Sequence, residues 1–185
     1  MKVKMKLIIG LIGRMGSGKG FVGDYLCENY NASRHTISDI LADILNRLHL
    51  TVTREHLQKL GASLRSGLGY DVIINALKGD IEKDNSNIII IDGIRYMNEV
   101  EMLRTFENNL LLSIDAKPEL RYDRCVLRGE KGEARITFEE FLGNENSETE
   151  QHISEVMKEA DYTINNDGTK EELIEKIEKI LKEKV

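Results

Sequence analysis

The sequence predicts a three-layer α/β fold in which five short strands alternate with helices around one core. The apolar runs at 7–12 and 88–91 contain no polar residue, which is typical of central strands covered on both faces. After each run the apolar residues recur at helical spacing, as expected for consecutive strand–helix units. The chain of 185 residues is long enough for a single domain, 1–185, with such a core.

A glycine-rich loop at 13–20 follows the first strand and contains the pattern G-x-x-x-x-G-K. Glycines let the backbone curl until successive N–H groups point inward, with the positive end of the next helix behind them. Lys19 would reach the β- and γ-phosphates as a point charge. The alternative is a plain glycine-rich turn between a strand and a helix. The residues predicted to bind the nucleotide here are Gly13, Arg14, Met15, Gly16, Ser17, Gly18, Lys19, Gly20 and Phe21.

Position 20 departs from the usual P-loop pattern. Ser or Thr normally follows the lysine and binds Mg²⁺ through its hydroxyl, whereas Gly20 and Phe21 stand here. Mg²⁺ would instead be held by water, phosphate oxygens and a carboxylate. Asp92 directly follows the run 88–91, as the carboxylate of a Walker B strand does, and is predicted to be the metal ligand. A helix N-cap or loop turn is the alternative role for Asp92.

The second strand is predicted at 35–38 and delivers Asp39 to its carboxyl end. Ser38 or Asp39 is expected to cap the following helix. Because ligands bind at the carboxyl ends of strands in open α/β sheets, Asp39 is also predicted to face the phosphate acceptor. Further strands are predicted at 110–115 and 161–164, and helices at 53–64 and 71–83 with a glycine-marked break between them.

Two arginines are predicted to bind an anionic substrate. Arg65 stands at the glycine-marked break after the helix at 53–64. Arg95 lies just past the end of the strand at 88–92, where a guanidinium can hold an anion with two hydrogen bonds. The alternative for each is an ordinary solvated or paired surface arginine.

A second group of arginines predicts a lid. A helix opening at Pro118 carries Arg121, Arg124 and Arg128 on one face, and Arg135 follows a charged connection with two glycines. We expect this segment to close over a polyphosphate and to place Arg128 and Arg135 on the charge that develops at the transferred group. A solvated, salt-bridged helix hairpin is the alternative.

Composition disfavours several classes of protein. The net charge is −6, with 32 acidic and 26 basic residues, which disfavours a general binder of nucleic acid or anionic membranes. No stretch approaches the ~20 apolar residues of a membrane span. The apolar run near the start is too short for a signal peptide, and the glycine loop follows where a cleavage site would stand. Cys27 and Cys125 lack a metal or redox spacing, which predicts reduced thiols in a cytoplasmic protein.

The order of these motifs resembles the P-loop nucleotide kinases. The segment 160–169 and the aspartate after the second strand are similar to dephospho-coenzyme A kinases. Asp92-Gly93-Ile94-Arg95 with Glu99, and the overall spacing, are closer to archaeal adenylate-kinase-related proteins and phage-type deoxynucleoside monophosphate kinases. The resemblance implies a P-loop NTPase fold with five parallel strands and helices on both faces. It also implies a substrate-binding helical region at about 40–80 and a lid at about 121–142.

The resemblance further implies that ATP binds the loop with its base near Asn165 and Gly168, and that Mg²⁺ takes part. The predicted activity is ATP-dependent phosphoryl transfer to a small nucleotide or nucleotide-like acceptor, with a (deoxy)nucleoside monophosphate favoured. The protein is expected to be a monomer or homodimer without nucleic-acid or membrane partners. Two alternatives stay open. One is a dephospho-coenzyme A kinase with Asp39 as base, although the neighbouring Asp-Ala-Asp pattern of that family is absent. The other is a non-catalytic nucleotide-binding regulator. The residues predicted to act are Lys19, Asp39, Arg128 and Arg135 in catalysis, Asp39, Arg65 and Arg95 on the acceptor, and Asp92 on the metal.

Overall fold

A computed structural model describes residues 6–129, 136–145 and 148–184. In this part of the chain one parallel sheet has the strand order β2-β3-β1-β4-β5, which confirms the predicted α/β fold. The strands are β1 (Leu7–Ile12), β2 (Ser33–His35), β3 (Ile88–Asp92), β4 (Asn109–Asp115) and β5 (Tyr162–Asn165). The helices are α1 (Lys19–Tyr30), α2 (Ile37–Arg47), α3 (Arg54–Leu68), α4 (Val72–Lys83), α5 (Met97–Arg104), α6 (Pro118–Arg128), α7 (Phe138–Glu145), α8 (Glu148–Val156) and α9 (Lys170–Lys184), with a 3₁₀ turn at Met157–Glu159.

The two faces of β1 pack against different helices. Because side chains alternate along a strand, Ile9 and Leu11 face the helices α1 and α9, while Ile8 and Ile12 face α4 and α5. The pairing of β1 with β3 sets Leu11 opposite Asp92. The central strands therefore bring their carboxyl ends to one edge, where the glycine loop begins.

The second strand is shorter than predicted, and the predicted cap is wrong. Strand β2 ends at His35, and Thr36 caps α2 through its hydroxyl, which accepts a 3.0 Å hydrogen bond from the Asp39 amide. The apolar Ile37 fits a strand and a helix equally well, so periodicity alone misplaced the boundary. Asp39 therefore lies in the first turn of a helix and not at the end of a strand.

The predicted break at 66–69 is also too early. Helix α3 continues to Leu68 and ends only at Gly69, whose φ of 109° lies in the left-handed region. A single glycine inside a helix costs only about 1 kcal/mol, and α3 accommodates Gly67 without ending. Arg65 consequently stands in the last turn of α3.

Asp84 fixes the edge strand β2 to the end of α4. Its carboxylate lies 2.8 Å from Nε2 of His35 and accepts a 2.8 Å hydrogen bond from the Ser86 amide. Burial raises the pKa of Asp84, but the hydrogen bonds with His35 and Ser86 outweigh it and hold that pKa well below its usual range. This link holds β2 in place beside β3.

The described helices include none that is both long enough and apolar enough to cross a membrane. Helices α6 and α7 flank the segment 130–135, which contains Arg135, so that part of the predicted lid lies outside the described residues. The aromatic rings of Tyr122 and Phe141 hold α6 against α7, with ring centres 5.7 Å apart.

Candidate functional site

The loop at 13–20 is curled between the end of β1 and the first turn of α1. Gly16 and Gly18 have φ angles of 76° and 100°, which L-residues with a side chain rarely adopt. A Cβ on Gly16 would come within 2.9 Å of the Arg121 backbone, so the turn and the close approach both require glycine. The helix α1 begins at Lys19, which places the positive end of its dipole at the loop.

Side chains behind the loop engage its carbonyl oxygens. The Asn166 amide donates a 2.8 Å hydrogen bond to the Ser17 carbonyl. Arg121 and Arg124 each donate a longer hydrogen bond of 3.4 Å, to the carbonyls of Met15 and Gly16 respectively. Carbonyl oxygens repel phosphate, so these donors suit a loop whose opposite side receives an anion.

The loop between β5 and α9 lies beside the loop at 13–20, and the contact is made by Asn166, which was not among the predicted site residues. Asn166 is 6 % exposed, and its backbone amide donates a 2.7 Å hydrogen bond to the Asp115 carbonyl. The exposed Asn165 side chain bonds to Asp167 at 3.0 Å instead. Contacts of Asn165 and Gly168 with a nucleotide base remain a prediction.

The Asp92 carboxylate lies next to Lys19, and its side chain is only 9 % exposed. Its Oδ1 is 3.4 Å from the Lys19 ammonium nitrogen. Its Oδ2 accepts hydrogen bonds from both Nε and Nη2 of Arg34, the former at 2.9 Å. Arg34 also donates to Asp24 at 2.6 Å. Arg34 was not among the predicted site residues, because it lies one residue before the strand that was predicted at 35–38.

The described residues around Asp92 offer a divalent cation few protein ligands. Gly20 offers no hydroxyl, and a Cβ built on it would lie 4.0 Å from the Arg34 guanidinium. Oδ2 of Asp92 is bonded to Arg34, whereas Oδ1 is buried 3.4 Å from the Lys19 nitrogen and has no hydrogen-bond partner among the described residues. Within the described residues, no three His, Cys, Asp or Glu side chains lie close enough together to hold a metal ion. Asp92 occupies the predicted place, and its role as a metal ligand stays a prediction.

Arg14 connects the loop to two other elements. Its guanidinium donates hydrogen bonds to Asp115 at the end of β4, at 3.2 Å, and to Ser154 in α8, at 2.9 Å. The Arg14 side chain thus connects the loop at 13–20 to strand β4 and to helix α8.

The charges of Arg65 and Arg95 both act on one buried carboxyl group. Glu99 is 4 % exposed and accepts a 2.6 Å hydrogen bond from the Arg95 backbone amide. Burial raises the pKa of Glu99, while hydrogen bonds from the amides of Arg95 and Tyr96 and the charges of Arg95 and Arg65 oppose that rise. Both arginines predicted to bind substrate therefore lie within electrostatic range of the same residue.

Asp39 is exposed in the first turn of α2, which follows β2. It lines a pocket of about 410 Å³ between β2, α2 and α4, together with Arg34, Thr36, Asp43 and Asp80. Arg34 lines this pocket and is also bonded to Asp92. The structure thus gives Asp39 an accessible position without any contact to Lys19.

The predicted lid arginines differ in their surroundings. Arg121 is 1 % exposed, donates a 2.9 Å hydrogen bond to the Ala116 carbonyl, and has its guanidinium 5.6 Å from the Phe141 ring centre. It therefore supports the loop from behind and does not face solvent. Arg128 is exposed in the last turn of α6, and its role in a closed lid remains a prediction, as does that of Arg135.

Comparison with known proteins agrees with this architecture. The AAA domain family matches residues 9–153. UPF0200 protein PH1008 of Pyrococcus horikoshii is 31% identical over 182 residues, covering 95% of this chain and 96% of that protein. The UPF0200 protein of Sulfurisphaera tokodaii is 30% identical over 175 residues, with 95% and 96% covered.

Two solved shikimate kinases share the fold. That of Bacteroides thetaiotaomicron has a TM-score of 0.60 at 17% identity, covering 95% of this chain and 98% of its own. That of Aquifex aeolicus has a TM-score of 0.56 at 18% identity, covering 95% and 96%. The resemblance to P-loop kinases is confirmed at the level of the fold, and these comparisons do not select one nucleotide kinase subfamily. The chain belongs to the AAA domain family and to the UPF0200 proteins.

Proposed function

We propose that this protein transfers a phosphoryl group from ATP to a small nucleotide or nucleotide-like acceptor. The observation that carries the proposal is the curled loop at 13–20, with its carbonyls engaged from behind and Lys19 at its helical end. Backbone amides in this arrangement hold a polyphosphate and the lysine pairs with it. The solved shikimate kinases with this fold support a kinase activity on a small acceptor.

Lys19 has the freedom to serve the transferred phosphate. Its 3.4 Å separation from Asp92 is longer than the ~2.8 Å of a strong charge-assisted hydrogen bond, so the ammonium group can turn toward a phosphate at little cost. The reaction needs no covalent step on the protein, because phosphoryl transfer is accelerated chiefly by positioning and by electrostatic stabilisation. Arg128 and Arg135 complete the site if the lid closes, and no step of the proposal depends on a metal held by the protein.

The acceptor is proposed to bind between the pocket at Asp39 and the arginines beside Glu99. Arg65 and Arg95, whose charges both act on Glu99, suit a phosphate, because each guanidinium can hold one with paired hydrogen bonds. This favours a (deoxy)nucleoside monophosphate, with Arg65 and Arg95 on its phosphate and Asp39 on its sugar or base. The position of Asp39 in the first turn of α2 suits a positioning role.

The test is a set of ADP-formation assays with ATP and a panel of nucleoside monophosphates, deoxynucleoside monophosphates and dephospho-coenzyme A. We expect one acceptor class to stimulate ADP formation, and Lys19→Ala to lose at least ~100-fold of that rate because a charge on the transferred phosphate is lost. Lys179→Ala, on the far helix α9, is the matched control. No acceptor-dependent ADP formation above the Lys19→Ala background would refute the proposal.

One observation favours a second candidate, a nucleotide-binding regulator without catalytic activity. Arg34 neutralises the carboxylate that a kinase would normally use for its metal. A regulator would bind ATP tightly in the same loop and show no turnover with any acceptor. Measuring ATP binding alongside the acceptor assays separates the two candidates.

A further inference from the structure

The Arg34 guanidinium lies where a P-loop protein usually places a divalent cation. Arg34 stands on β2 opposite Ile90 of β3, two residues before Asp92. From there its side chain reaches along the sheet to the Asp92 carboxylate and to Asp24 of α1. A divalent cation in the usual arrangement would lie between the same carboxylate and the hydroxyl that is missing at Gly20.

Gly23 of α1 makes room for this guanidinium. A Cβ on Gly23 would come within 2.9 Å of the Arg34 Cζ, so a side chain there would displace the guanidinium. Glycine is a poor helix residue, and the close approach of Arg34 is a local reason for it at position 23. Gly20 is three residues earlier on the same face, and a Cβ there would lie 4.0 Å from Nη2 of Arg34, which is ordinary contact.

The charges at this point are balanced without a metal. Lys19 and Arg34 contribute two positive charges, and Asp24 and Asp92 two negative ones. The guanidinium stays charged at any accessible pH. When Lys19 turns toward a phosphate, Arg34 still neutralises Asp92, so the carboxylate does not repel the incoming anion.

We propose that Arg34 replaces the divalent cation as the partner of Asp92, so that this protein binds nucleoside polyphosphates independently of Mg²⁺. This inference rests on the proposed function, because it concerns the same nucleotide site. It adds that the site accepts the nucleotide without a bound Mg²⁺. It also explains why position 20 carries no hydroxyl, because a side chain that binds a metal is not needed where no metal is bound. Arg34 acts here through Asp92 and is a positioning residue for the nucleotide.

The test is the dissociation constant of ATP, measured by isothermal titration calorimetry in excess Mg²⁺ and in EDTA. For the wild-type protein we expect the two constants to agree within about three-fold. In Arg34→Gln the uncompensated Asp92 would face the phosphates, so affinity in EDTA should fall at least about ten-fold while Mg²⁺ restores most of it. The double variant Arg34→Gln with Gly20→Ser supplies a hydroxyl and should increase this metal dependence.

Controls separate this role from a structural one. Arg47→Gln, an exposed arginine in the last turn of α2, should leave both constants unchanged. Arg34→Lys keeps the positive charge and should stay metal-independent even if its unfolding temperature falls. Circular dichroism melts establish which variants are folded, and Arg34→Lys carries the test if Arg34→Gln does not fold.

The inference is overturned if the wild-type protein binds ATP at least about ten-fold more weakly in EDTA than in Mg²⁺. That result leaves the proposed function intact. Equal losses by Arg34→Gln in Mg²⁺ and in EDTA also overturn the inference, because a merely structural role predicts that result. Failure of the wild-type protein to bind ATP in either condition overturns both this inference and the proposed function.

Discussion

Replacing Asn166 by alanine removes the buried side-chain amide that bonds to the loop at 13–20 from behind. Its Nδ2 lies 2.8 Å from the Ser17 carbonyl, and the residue is 6 % exposed. A buried carbonyl left without a donor costs about 1–3 kcal/mol, so we expect a loss of about 2 kcal/mol in the free energy of unfolding. For a domain of this size that corresponds to a fall of about 4–8 °C in Tm.

The same change should weaken ATP binding, because the loop would no longer be held in the curled form before the ligand arrives. We expect about a ten-fold higher Kd, measured by calorimetry. Asn29→Ala is the matched control: its exposed side chain lies in the last turn of α1, away from the loop at 13–20, and donates a 2.9 Å hydrogen bond to the Tyr25 carbonyl, so its effect should stay within about 0.5 kcal/mol.

Equal Tm and Kd values for Asn166→Ala and Asn29→Ala would show that the Asn166 amide does not hold the loop. Asn166→Asp offers a stricter version of the test. A carboxylate would set an acceptor against the Ser17 carbonyl, so this variant should be less stable than the alanine variant. A more stable aspartate variant would show that the 2.8 Å contact does not hold the loop.

Further predictions concern the acceptor site and the edge strand. Arg65→Gln and Arg95→Gln should each raise KM for the acceptor about ten-fold with little change in the Kd of ATP, and a selective effect on ATP would contradict their assignment. Asp39→Asn should lower kcat less than about ten-fold with a monophosphate acceptor, whereas a loss of ~100-fold or more would indicate a base and favour dephospho-coenzyme A kinase. Asp84→Asn should destabilise the protein by about 1–3 kcal/mol at pH 7. Because the folded-state pKa of Asp84 is lowered, its stabilisation is present above the normal carboxyl range and is lost as pH falls, so the two proteins should converge in acid melts; a difference that persists in acid would contradict this.

The sequence predicted the centre of the sheet well because that part depends on local signals. The apolar runs of β1 and β3 indicate buried strands, and few other structures fit them. The glycines between β1 and α1 likewise indicate a tight loop. The start of α2 was misplaced because Ile37 satisfies two periodicities, and only the Thr36 cap decides between them. The lid lies partly outside the described residues and remains a prediction.

The site residues that the sequence did not reveal are those that act across long separations. Arg34 and Asp92 are 58 residues apart, and nothing near either one indicates the pair. The sequence groups Arg121 with the predicted lid arginines on one helix face. Arg121 is buried because the carbonyls of Ala116 and Met15 satisfy its guanidinium, and those contacts exist only in the folded chain.

The central claim is that the amides of residues 13–20 hold the phosphates of ATP. It is tested most directly by titrating ¹⁵N-labelled protein with ATP and following the backbone amide resonances. The account predicts large shifts for Gly13 through Gly20 that Lys19→Ala greatly weakens. Shifts that leave this loop unchanged and cluster elsewhere would contradict it.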